Sequence, residues 1–149
     1  FEKFGIFTRV ELESREEILY EQYSKVVNIE ALTMIDMATK QYIPSVIKYT
    51  KELADTVLLV KEAGADTSVQ SEMLCSISEL LKEAKAALEK LKKSQAEGLK
   101  KEGKERAFFY KDTVMVDMDN LRTPVDKLEM LVDKDFWPVP SYGDLTFEV

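Results

Sequence analysis

Two carboxylates, Glu30 and Asp36, stand inside a largely apolar run, VVNIEALTMIDMA, at residues 26–38. Carboxylates in apolar surroundings are raw material for general acid–base catalysis. Their spacing argues against a joint role. Six residues make about 1.67 turns of an ideal helix, which sets the two side chains about 120° apart. The sequence holds no histidine. That removes Ser-His-Asp and Cys-His catalysis, histidine-ligated zinc and the Glu-x-x-His pattern of di-iron bundles. Cys75 is the sole cysteine and lies in MLCSI, where it is expected as a buried, inert thiol. A single cysteine allows no internal disulfide and suits a reducing, cytoplasmic setting. Residues 90–106 carry seven Lys or Arg against three Glu. No aromatic residue interleaves with these charges, so they read as a solvated helix end and loop rather than a nucleic-acid surface.

The positions of these groups depend on the elements that carry them. The chain has 149 residues, 45% hydrophobic and 33% charged, with a formal net charge of −7. A packed core with a charged shell is feasible, and broad binding to a phosphate backbone is not expected. No apolar run approaches the ~20 residues of a membrane helix. Residues 1–13 read as an extended lead-in. Ser14-Arg15-Glu16-Glu17 has the form of a capping box, so a helix is expected from 14 to about 63, stopped by Gly64 and kinked near Pro44. Apolar spacing predicts a second helix over 68–97 and a third over about 105–133, bent at Pro124. The expected fold is all-α: one domain over 1–149, an antiparallel bundle of three long, proline-kinked helices with a tail over 134–149.

Two regions exceed what such a bundle needs. The 26–38 run is apolar on almost every side, and a helix apolar all round is buried all round. Asn28, Glu30, Thr33 and Asp36 within it need partners, and Asn28, Glu30 and Met34 are candidate docking residues. The tail, DFWPVPSYGDLTF at 135–147, holds the only Trp and two of the four prolines. The prolines keep it extended, and Tyr142-Gly143-Asp144 reads as a turn. Trp137, Pro138, Pro140 and Tyr142 offer an apolar area expected to lie in a groove, of this bundle or of a neighbour. A free Pro-rich ligand is the alternative, although PVP lacks the PxxP spacing.

ESREEILYEQYSKVVNIEALTMIDMATKQYIPSV at 13–46 and FWPVPSYGDLTF at 136–147 together resemble the C-terminal region of type III glutamine synthetases. The opening FEKFGIFTRVELESR is similar to the segment that follows the catalytic part in that family. The resemblance covers about the first 60 residues and the last dozen. It implies a parent enzyme of bacterial cytoplasm that joins ammonia to glutamate with ATP and a divalent metal, magnesium, in a large ring-shaped homo-oligomer. The chain itself would be an excised, non-catalytic C-terminal domain without cofactor. Its partners would be the catalytic domain of the same chain and neighbouring subunits, with neither nucleic acid nor membrane. A self-standing helical interaction module is the competing expectation.

Overall fold

The computed structural model describes residues 4–140 and 142–147, and all regular structure among them is helical. Among the described residues there are three long helical stretches and one short helix. The first contains α1 (Arg9–Met37), a five-residue π segment (Ala38–Tyr42) and α2 (Ile43–Glu62). The second is α3 (Ser68–Gly98). The third contains α4 (Gly103–Phe109), a second π segment (Tyr110–Val114) and α5 (Met115–Glu129). The short helix is α6 (Tyr142–Phe147).

The helix ends follow local chemistry. α1 starts at Arg9, not at Ser14, because Thr8 and Glu11 form the working capping box. The Thr8 N–H donates to Glu11 Oε2 at 2.7 Å, and the Glu11 N–H donates to Thr8 Oγ1 at 3.3 Å. The same Thr8 N–H holds the Glu11 carboxyl below its ordinary pKa. Residues 9–13, expected in the extended lead-in, are therefore helical. At the end of α2, Gly64 adopts a left-handed φ of 77°. Gly64 N–H bonds to Lys61 O and Ala65 N–H to Val60 O, the paired bonds of a Schellman motif. Asp66 accepts from the Ser68 N–H and hydroxyl, which opens α3.

Pro44 does not break the first stretch. It sits in the first turn of α2, directly after the π segment, where the Ile43 N–H reaches back to Ala38 O. Wider π bonding absorbs the register change that a missing proline donor requires. α5 runs on through the buried Pro124. Arg106 accounts for part of the basic 90–106 stretch: its guanidinium donates to the carbonyls of Lys101 and Leu99, just past α3. Lys101 pairs with Glu105 at 2.6 Å and lies over the Phe109 ring.

Packing divides the chain into two units. The first comprises residues 1–35 and 90–119, with Val27, Ala31, Leu91, Ala107, Tyr110 and Val114 in its interior. The second comprises residues 36–89 and 120–149. Its core gathers Val46 and Leu53 of α2, Ile77 and Ala84 of α3, Leu128 of α5 and Val132. Phe136 and Trp137 pack against that core. Cys75 is exposed, contrary to expectation. It follows Met73 and Leu74, which face the core, but its own position on α3 turns it to solvent.

Candidate functional site

In the first unit, the half-buried Asn28 is the centre of a polar cluster. Its Oδ1 accepts from Gln95 Nε2 at 2.8 Å and from the Tyr110 hydroxyl at 2.9 Å. Tyr110 is fully buried and Gln95 nearly so. Burial pushes the Tyr110 phenol above its ordinary pKa, with Arg106 opposing. A Cβ on Gly98 would come within 2.8 Å of Tyr110 Cε2, so the ring rests on bare backbone of α3. Nearby in sequence, Asp117 is buried and accepts from Lys90 at 2.8 Å, while its second oxygen has no protein partner. Asn28 stood out in the sequence, but its partners did not. Gln95 lies in the basic stretch, and Tyr110 in a π segment that displaces the helical period.

The other residues of the 26–38 run divide between two faces of α1. Val27 and Ala31 are buried, and Met34 is half-buried. Glu30 is exposed, as is Asp36, which pairs with Lys40. Val26, Ile29 and Leu32 are also exposed, at 48%, 63% and 46%. Ile18 and Leu19, further up α1, are 58% and 64% exposed. The run is thus apolar on two sides, and the chain's own packing covers only one.

The tail belongs to the second unit. Asp133 organises the turn that redirects it: its carbonyl accepts from the N–H groups of Phe136 and Trp137, and its carboxylate from the Asp135 N–H. Phe136 then meets the Tyr49 ring at 5.4 Å, and Trp137 meets the Tyr42 ring at 5.2 Å between centroids. The groove holding these two side chains is this chain's own. Burial and the carboxylates of Glu129 and Asp126 raise the Tyr42 phenol. Trp137 Nε1 is buried without a hydrogen-bond partner. Beside it opens a cavity of about 480 Å³, lined by Glu129, Val132, Lys134, Trp137, Pro138, Val139, Pro140 and Asp144. Pro138 and Pro140 are exposed. Tyr142 opens α6, so the expected turn at 142–144 is helical, and its side chain lies outside the described residues.

Residues 1–61 match the family described as the glutamine synthetase C-terminal domain. Over 153 residues and the whole of this chain, the sequence is 36% identical to a glutamine synthetase of Butyrivibrio fibrisolvens. This chain is a glutamine synthetase C-terminal domain homologue. It is 32% identical to a glutamine synthetase of Bacteroides fragilis over 95% of its length. Against the type-3 glutamine synthetase of Dictyostelium discoideum the identity is 30% over 99% of the chain. The chain spans about a fifth of the length of these curated relatives, from 20% to 22%.

Among the described residues, no group of three or more His, Cys, Asp or Glu lies close enough to hold a metal ion. Asn28 is engaged by Gln95 and Tyr110, and one oxygen of Asp117 by Lys90, while the other Asp117 oxygen and Trp137 Nε1 are buried without a partner. Among the described residues, no helix is long and apolar enough to cross a membrane.

Proposed function

We propose that this chain is a non-catalytic helical domain at the C-terminal end of a type III glutamine synthetase. It docks on the catalytic body and supports assembly of the homo-oligomer. The enzyme of which it is part would make glutamine from glutamate, ammonia and ATP in the cytoplasm. ATP and a divalent metal such as magnesium would be held by the remaining four-fifths of that enzyme. The observation that carries the reading is the match of residues 1–61 to the C-terminal domain family, together with relatives about five times as long.

Two features support docking. The 26–38 run presents Glu30 and an apolar outer face to solvent, while Asn28 and Met34 hold its inner face in place. In the tail, Trp137 anchors the chain on Tyr42 and keeps an unused Nε1 donor beside an open cavity. A buried donor without an acceptor costs free energy, and a partner's carbonyl or carboxylate at Trp137, Pro138, Pro140 and Tyr142 would recover it.

The test is glutamine formation by the full-length protein, beside a version cut before Phe1. An active full-length protein whose truncation fails to assemble is the expected result. A full-length protein that makes no glutamine would instead leave a self-standing interaction bundle. A truncation that is fully active and fully assembled would remove the docking role.

A further inference from the structure

The outer face of α1 carries a broken stripe of exposed apolar residues in two groups, Ile18 with Leu19 and Val26 with Ile29 and Leu32, separated by the exposed Gln22 and Lys25. Ile18, Leu19, Val26, Ile29 and Leu32 are between 46% and 64% exposed. At about 100° per residue, these five side chains fall within a sector of about 140°. The buried Ser24, Val27 and Ala31 project from the opposite side. At its N-terminal end the stripe widens into an open groove of about 760 Å³ that contains Val10, Ser14, Ile18 and Leu19. Five exposed apolar side chains gathered on one side of one helix, with Gln22 and Lys25 among them, point to a small mixed contact surface.

We infer that this stripe is the seat of the enzyme's own preceding chain, the catalytic part of the same polypeptide. The inference rests on the function proposed above and names the surface through which it operates. Two observations select this occupant over a second copy. First, the relatives are about five times as long, and the segment matched to the C-terminal family, residues 1–61, contains the whole stripe. The polypeptide that precedes such a domain enters at the end of α1 where the groove lies. Second, the stripe is small. From Ile18 to Leu32 it runs about 21 Å and is one helix wide, short of the ~800 Å² per partner that stable association of separate chains requires. Tethering removes that requirement. A covalently linked partner is present at an effective concentration of the order of millimolar, so a modest patch suffices. Contacts between domains of one chain are correspondingly smaller and more polar. The Glu21–Lys25 pair, 2.7 Å apart, supplies charge of both signs, Lys25 from within the sector and Glu21 from just outside it.

The test is site-resolved thiol labelling of Ile29→Cys in the full-length protein, read by peptide mass spectrometry. The exposed native Cys75 serves as the internal reference. Ile29 is itself exposed in this chain, so the substitution leaves the domain's core intact. Leu32→Cys provides a second site. The introduced thiol is expected to react at least about tenfold more slowly than Cys75, as for a site that must open before it reacts. That protection should persist after dilution to dissociated subunits, with dissociation verified by sedimentation. Equal rates at the two thiols would overturn the inference. Protection that vanishes on dissociation would also overturn it, by assigning the stripe to another subunit. If the stripe is unprotected while truncation still abolishes assembly, this surface is wrong and the proposed function stands.

Discussion

The two packed units solve the same problem by different means. The four buried polar or charged residues among those described, Ser24, Ser94, Gln95 and Asp117, all lie in the first unit. There, Asn28, Gln95 and Tyr110 interlock by hydrogen bonds with fixed geometry. The second unit closes on aliphatic residues and on two aromatic side chains returned by the tail. Hydrogen bonds contribute little net stability but penalise any wrong register, because each buried polar group must find its partner. Apolar packing contributes more stability and tolerates repacking. The first unit therefore trades stability for a defined arrangement. It also carries the exposed stripe on α1, whose presentation depends on the helix keeping its rotation.

Substitutions in each unit sharpen that contrast. Leu128→Ala empties a nearly fully buried position in the second unit. It should cost about 2–5 kcal/mol in denaturant unfolding, as large-to-small core changes do. A loss below about 1 kcal/mol would mean the aromatic tail refills the space. Gly98→Ala tests the first unit through geometry. Alanine favours helix by about 1 kcal/mol, yet its Cβ would meet the fixed Tyr110 ring at 2.8 Å. A net destabilisation of about 1–2 kcal/mol is expected from the overpacking. A stabilised variant would show that the ring can yield.

Tyr110→Phe is the smallest and most specific change. It removes one donor to Asn28 and should cost about 1 kcal/mol. It also has a pH signature. The phenol pKa is raised in the folded protein. The folded state therefore holds its proton more tightly than the unfolded one. This contribution is fully present below the ordinary phenol value near 10, and is lost as pH rises through the raised value. Stability followed by denaturant melts from neutral to strongly alkaline pH should fall less steeply in Tyr110→Phe. Part of the fall remains, because burial also raises Tyr42 and Tyr49 in the second unit. An unchanged alkaline slope would contradict the role assigned to Tyr110.

Much of this architecture was legible in the residues. The period of Ile77, Ala84, Leu88 and Leu91 marks α3, and Gly64 marks the end of α2, because both signals are local. The start of α1 was misplaced because Thr8-Arg9-Val10-Glu11 and Ser14-Arg15-Glu16-Glu17 both have capping-box form. Only one of them forms the reciprocal bonds. The π segments escaped notice because five-residue bonding leaves no distinct residue pattern. The excess apolar character of 26–38 was visible, but Ile18 and Leu19 were not seen to extend it. The tail's aromatic residues announced a groove, and the turn at Asp133 decides which groove Phe136 and Trp137 enter. Gln95 and Tyr110 were illegible as partners of Asn28, since contacts across 67 and 82 residues have no local signal.

The most direct test of the docking account compares two matched exposed positions in the full-length protein. Ile29 is 63% exposed on α1 in the first unit, and Leu58 is 60% exposed in the second, one helical turn from Asp55 and from Lys61. Each is replaced by Asp, and the rate at which a protease releases the C-terminal domain is measured. Ile29→Asp should accelerate release several-fold, because a charge buried against the catalytic part is costly. Leu58→Asp should leave the rate at that of the unaltered protein. Equal rates for both variants and the unaltered protein would contradict the claim that α1 seats the domain on its enzyme.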